Sequence, residues 1–542
     1  MVKIFFSAVL FILFSTSSSF SQEKMERPKL VVGIVVDQMR YDYLYRYFDK
    51  YSDRGFKRMM SKGFTCENMH YNYVPTITAP GHSSIYTGTT PAYHGIIGND
   101  WHQRYSRESM YCVEDKTVQV VGGVNEAAGK KSPVNLLAST ITDELKLYFH
   151  DQSKIISIAL KDRAAVLPGG HHPNGAFWYD ESAGNFITST YYMNALPSWL
   201  SEFNDEKWSL KLLQQGWSTL LPLSEYTASM PDRNPYEGKL PQDKESVFPR
   251  TFSTINPNYA NITTTPLGNI LTTQLAIKAI AAENLGADNI TDFLAISYSV
   301  PDYAGHLFGL QSVEIEDIYL RLDLELATLL ETLDNVVGKD QYMVFLSADH
   351  AAAQVPQLLI DGRYPAGYFE NQKLIDTIKK VISAKYDPYI IEGASNFQIF
   401  LNEDRIKFKM KPKREDIVKD IKEIIKSFPG VYDAFERSEI PFLSSEFPLY
   451  KMIQLGFNPV RSGDIIYTLL PGWLDRGIKT GTSHGSPWNY DTHVPAIFYG
   501  WHVPSGKSYS HHDITDIAPT ISHLVKIPLP SASIGNPLEF VK

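Results

Sequence analysis

The run Leu30–Val36, LVVGIVV, carries no polar side chain, and Asp37 comes directly after it. A strand with one face in water alternates apolar and polar residues. A run that is apolar on both faces fits a strand buried on both, as in a parallel sheet covered by helices. Ile155–Leu160 (IISIAL), Phe293–Ser297 (FLAIS) and Tyr342–Leu346 (YMVFL) have the same character, and Pro495–Tyr499 (PAIFY) is a weaker member of the set. Between these runs, Ile270–Asn284 and Ile315–Asn335 repeat apolar residues at spacings near three and four, the period of a helix with one buried face. Strands alternating with helices predict an α/β fold: a doubly wound, mostly parallel sheet with helices on both faces.

The residues just past each strand narrow the chemistry. Asp37 comes after the first, Lys161 after the second, Asp302 lies just beyond the third, and Asp349-His350 come after the fourth. Ligands of open α/β sheets bind outside the carboxyl ends of the strands. One charged residue after one strand is an ordinary solvated loop; four sets, three of them with Asp, predict a site along one sheet edge. Asp37, Asp302, His306, Asp349, His350 and His484 together offer three carboxylates and three imidazoles. That is enough for two zinc ions with three protein ligands each and room left for a substrate. Asp302 and His306 are four apart, so a helical turn would bring both to one ion. Asp349 and His350 are adjacent and would diverge on an extended chain, so they need a turn.

Val74–Gly88 (VPTITAPGHSSIYTG) reads as a loop opening into a helix with Thr78 near its start. A threonine there is ordinarily an N-cap. A helix N-terminus also favours anions, and a metal beside a hydroxyl lowers its pKa, so Thr78 is equally a candidate nucleophile. Lys161 and Arg163 flank Asp162; taken alone they form a solvated basic turn, and on an extended segment both would share a face.

In this order the motifs resemble the alkaline phosphatase superfamily, and most closely its secreted, single-threonine branch. The matching pieces are VVDQMR at Asp37, PTITAPGHSSIYTG at Thr78, HGIIGNDW at Asn99, KDRAAVLPGG at Lys161 and Arg163, PDYAGHLFG at Asp302 and His306, SADH at Asp349 and His350, and SHGSPWNYDTHVP at His484. The resemblance implies two Zn²⁺ per chain. One would be held by Asp302, His306 and His484, the other by Asp37, Asp349 and His350 with Thr78 as a further ligand. It implies that Asn99 donates to a phosphate oxygen, that Lys161 and Arg163 meet the phosphoryl group, and that a phosphothreonine forms on Thr78. The expected function is an alkaline phosphatase of broad specificity, acting on small phosphate monoesters and releasing inorganic phosphate. A phosphodiesterase or nucleotide pyrophosphatase of the same superfamily is the alternative. The basic pair argues for monoesters, whose extra negative oxygen a cation can meet. A sulfatase would need a maturing Cys or Ser motif that neither cysteine supplies. His493 is expected to support the ligands from behind, while His82, His171 and His172 are not read as ligands.

The remaining features set boundaries. A net charge of −9 without a basic stripe argues against nucleic acid as a partner. Residues 1–21 read as a secretory signal peptide, with Lys3, an apolar Ile4–Phe14 and a cut after Ser21. They predict a secreted or periplasmic protein with no lasting membrane insertion. Residues 22–542 then form the catalytic domain, as a monomer. The Lys- and Glu-richer stretch of about 355–470 is expected to be a cap-like insertion, with Arg414–Ser427 as a helix. Cys66 and Cys112 leave one disulfide open to an exported chain. Asp516–Pro530 reads as a helix capped by Asp513 or Thr515, with Pro519 in its first turn.

Overall fold

The computed structural model describes residues 27–409 and 413–541, so the expected signal peptide lies outside the described residues. An 11-stranded sheet runs through the molecule. At its centre Leu30–Val36 pairs in parallel with Tyr342–Ser347 on one side and Asp292–Tyr298 on the other. Ile155–Ala159 and then Gly175–Asp180 extend the parallel series. Every residue of these five strands is buried, which is why their sequences do not alternate.

The flanks run the other way. His493–Gly500 pairs antiparallel with both Tyr342–Ser347 and Phe64–His70. It contains the weak Pro495–Tyr499 run, which therefore belongs to the sheet but not to its parallel series. Its chain arrives from the His484 segment at the site edge and must run back across the sheet. Asn185–Ser189 is likewise antiparallel to Gly175–Asp180.

Helices cover the sheet. Leu267–Ala282 begins three residues before the periodic run, behind Pro266. Val313–Leu333 starts where the Ser312 side chain accepts from the Ile315 amide, a cap the apolar period could not reveal. Ile517–Val525 carries Pro519 in its first turn, with Asp513 at the N-cap of the short turn ahead of it and its amide bonded to Asp516.

Residues Asn371 to Leu469 contribute a second, four-stranded sheet in the order Ile391–Ser395, Gln398–Leu401, Ile465–Leu469, Val431–Glu436. Helices Asn371–Lys385 and Arg414–Ser427 lay Leu374, Ile378, Ile382, Ile417, Ile421 and Ile425 against it, forming an apolar core separate from that of the main sheet. Cys66 and Cys112 are both buried and free, and they sit in different apolar clusters.

Candidate active site

All the candidate ligands lie at the carboxyl edge of the parallel strands or on segments folded over it. Asp37 is the first residue past Leu30–Val36. Asp302 and His306 share the helix Val300–Phe308, and their i,i+4 spacing puts His306 Nε2 3.1 Å from Asp302 Oδ1. Beyond Tyr342–Ser347 the chain turns, so that Asp349 and His350 point to one side, with His350 Nε2 3.5 Å from Asp349 Oδ2 and 3.7 Å from Asp37 Oδ1. His484 arrives from the segment ahead of His493–Gly500. Its Nε2 is 3.5 Å from Asp302 Oδ1, and its ring stacks on His350 with centroids 3.5 Å apart.

Two sets of side chains bring ligand atoms within 4.8 Å of one another: Asp302, His306 and His484, and Asp37, Asp302 and His350. Asp302 thus stands between the two sets.

Each imidazole is oriented through its far nitrogen. Nδ1 of His306 donates to Thr482 O, that of His350 to Ala351 O, and that of His484 to Thr76 O. This fixes the tautomer and turns every Nε2 lone pair into the cluster, the arrangement metal-ligating histidines need. Burial holds the His350 imidazole below its ordinary pKa and that of His484 well below, helped at His484 by His350. Burial thus favours, at both, the neutral form that ligates.

The carboxylates do not all shift one way. Burial opposes charge on Asp302, yet His306 and Lys161 outweigh it and hold the carboxyl well below the usual range. Burial is likewise outweighed at Asp349, by His350 and His82. At Asp37 burial and the charge of Asp349 win, and its pKa is pushed well above the usual range. Asp37 Oδ1, Asp349 Oδ2 and His350 Nε2 are buried with no hydrogen-bond partner. Unpaired buried donors and acceptors of this kind are costly, and divalent cations ligated there would satisfy all three. The donor set, oxygen and imidazole nitrogen, fits zinc.

Thr78 is the first residue of the buried helix Thr78–Thr87. The N-cap is Ile77, and no side chain caps this end, so the capping explanation for Thr78 does not hold. The helix is pressed onto the Asp349 turn: a Cβ on Gly81 would lie 2.1 Å from Asp349 O, so only glycine fits. His82 ties the same helix down, donating from Nδ1 to Thr78 O and accepting at Nε2 from Ser297 Oγ, while its Nδ1 lies 3.4 Å from Asp349 Oδ2. Asn99 Oδ1 accepts from the Ala79 amide at 2.9 Å, which leaves its Nδ2 free to donate beside Thr78.

Lys161 and Arg163 are not on one extended segment. Lys161 is the extended N-cap of the helix Asp162–Gly169, and Arg163 is already in its first turn. Lys161 Nζ lies 2.8 Å from Asp37 Oδ2 and 2.5 Å from Asp302 Oδ2, over the Tyr303 ring. Arg163 Nη1 donates to Tyr111 OH at 3.1 Å, Tyr111 OH donates to Asp162, and Arg163 Nε is buried and unpaired. One group not singled out in the sequence is Gln38. Its backbone amide donates to Asp349 Oδ1 and its Nε2 to Asp302 Oδ1, so it braces carboxylates that follow two different strands. It does so from a left-handed backbone, φ 66, which the identity of a glutamine does not advertise. His493, by contrast, spends its ring on Glu67 O, Tyr41 and His70 rather than behind the ligands. His171 and His172 belong to a loop held by Asp143.

Known proteins resemble this chain in sequence and fold. The family described as Type I phosphodiesterase / nucleotide pyrophosphatase matches residues 31–493. The chain belongs to that family, within the alkaline phosphatase superfamily. It is 44% identical to alkaline phosphatase PafA of Elizabethkingia meningoseptica, over 95% of this chain and 94% of that protein. It is 43% identical to alkaline phosphatase PhoV of Synechococcus elongatus, over 95% and 93%. It is also 45% identical to a Myroides odoratus protein named calcium-transporting ATPase, over 97% of each. A crystal structure of wild-type alkaline phosphatase PafA superposes with a TM-score of 0.92 at 43% identity, covering 95% of this chain and 99% of that one.

Proposed function

We propose that this chain is an alkaline phosphatase: a hydrolase of phosphate monoesters that works through a covalent phosphothreonine on Thr78. The observation that supports it most is the convergence of three carboxylates and three Nε2-presenting imidazoles, buried except for the partly exposed His306 and His484, beside the N-terminus of the Thr78 helix. Asp302, His306 and His484 would hold one zinc, and Asp37, Asp349 and His350 the other with Thr78. Bound there, the ions would supply Lewis acidity, lowering the pKa of a hydroxyl to near neutrality and offsetting charge on the ester oxygens.

The chain's own groups supply the rest. Thr78 Oγ1 forms a bond to phosphorus as the ester oxygen departs with its electron pair and is protonated to the free alcohol. Water then attacks the phosphothreonine, returning Thr78 and releasing inorganic phosphate. Asn99 Nδ2, Lys161 Nζ and Arg163 Nε donate to the non-bridging oxygens, where negative charge sits throughout. The two cations favour a monoester, which presents one more charged oxygen than a diester. Two in-line displacements give net retention at phosphorus.

The N-terminal sequence supports export, and no described helix is long and apolar enough to cross a membrane. We assign the working form as a monomer.

The test is Thr78→Ala with zinc content measured alongside turnover. The expected result is near-complete loss of phenyl phosphate hydrolysis, retained zinc, and an acid-stable phosphothreonine only in the parent enzyme. Undiminished turnover in the variant removes Thr78 from its role.

A further inference from the structure

A cavity of about 260 Å³ lies against the ligand cluster, and two unrelated parts of the chain wall it. One wall is the site itself: Ile77, which precedes Thr78, and His484. The other is the smaller sheet and the segment after it, which contribute the rings of Phe397, Tyr467 and Trp473. Among the described residues no Lys or Arg lines it, and Asp475 is its one carboxylate.

The placement of Phe397 is costly. It occupies the left-handed region at φ 57, after Asn396 at φ 49, in the two-residue turn between Ile391–Ser395 and Gln398–Leu401. Such turns favour Asn and Gly, and a bulky side chain there is strained. Strain of this kind concentrates where a side chain must be held for a purpose. The turn is also anchored to the phosphate side of the site. Asn396 Nδ2 donates to Asp100 O, next to Asn99, and a Cβ on Gly98 would lie 2.2 Å from that amide. The ring of Phe397 is thereby fixed relative to Asn99, 5.6 Å from Tyr467 in an edge-to-face pair.

Resting on the monoesterase reading, we infer that this cavity receives the alcohol part of the substrate and selects neutral, ring-bearing alcohols. Aromatic walls favour a flat apolar group. Asp475, unopposed by any described lining cation, disfavours alcohols carrying a second anionic group.

The experiment compares benzyl phosphate with ethyl phosphate, whose alcohols leave with similar difficulty, so the ratio of kcat/KM reads binding of the ring. Phe397→Gly removes the ring and suits the backbone, so it preserves the turn. Trp473→Leu is the second variant. Parent enzyme is expected to prefer benzyl phosphate, and each variant to lower that ratio about tenfold, the affinity a buried ring contributes. Benzyl alcohol is also expected to bind parent protein and to bind Phe397→Gly about tenfold more weakly. An unchanged ratio with unchanged alcohol binding overturns the inference. Should parent enzyme cleave neither ester, the monoesterase reading fails separately, and the alcohol-binding arm alone decides the cavity.

Discussion

The edge of the main sheet and the smaller sheet beside it handle polar groups in opposite ways. At the edge, Asp37, Asp349 and His350 are buried with unpaired ligand atoms, and their neighbours are other charged groups. In the smaller unit, aliphatic residues such as Ile417, Ile421 and Ile425 fill an ordinary apolar core, and its charged residues are paired, from the part-exposed Lys385–Asp420 to the buried Asp464, which is met by Arg104 and Arg437. One region gives up stability for chemistry, and the other supplies a stable wall. Buried unpaired polar atoms cost free energy that aliphatic burial does not. The contrast therefore predicts which substitutions uncouple metal from stability.

The largest effect is expected at Asp302, which stands between both ligand sets. Asp302→Ala should remove bound zinc and reduce turnover by several orders of magnitude, with little loss of melting temperature in the metal-free protein. Ile421→Ala should do the reverse: a loss of about 2–5 kcal/mol in stability from the cavity it leaves, with zinc content by mass spectrometry unchanged. Loss of zinc in Ile421→Ala would break the comparison. Gln38→Gly sharpens it. Glycine accepts φ 66 and keeps the amide bond to Asp349, so only the bond to Asp302 is lost. Zinc affinity should fall about 10–100-fold, as for other groups that orient ligands from behind.

Much of this edge is legible in the sequence because its chemistry is local. The unbroken apolar runs mark the parallel strands, and residues placed directly after them, Asp37 and Asp349-His350, carry the site with little further geometry. The i,i+4 pair Asp302 and His306 needs only a helical turn. Other features are out of reach for physical reasons. The direction of His493–Gly500 depends on which edge its chain enters from, and composition does not encode that. The bracing by Gln38 depends on a positive φ that glutamine rarely takes. The spacing of Lys161 and Arg163 suits an extended pair, but the helix begins between them at Asp162. The cavity beside His484 is assembled from residues more than 400 apart in sequence, and no local pattern marks it.

The smallest expected effect concerns acid stability behind the site. His94 is fully buried: Nδ1 accepts from the Ile96 amide, while Nε2 donates to Ser84 Oγ. Burial pushes its pKa down to about 3, and that of the partly buried His70 to about 4. Below the ordinary value near 6.5 the unfolded chain therefore binds more protons than the native one. Stability present above pH 6.5 is lost as pH falls toward these native values. His94→Gln should lower the melting temperature at pH 7.5 yet flatten its decline between pH 6.5 and 5. An equally steep decline would place the acid sensitivity elsewhere.

The central claim is that two metal ions sit between six side chains with a threonine oxygen beside them. Anomalous diffraction at the zinc edge, from crystals grown with zinc and vanadate, tests it directly. Two zinc peaks are predicted, one bounded by Asp302, His306 and His484 and one by Asp37, Asp349 and His350, with vanadium bonded to Thr78 Oγ1. A single peak, peaks elsewhere, or vanadate remote from Thr78 would contradict it.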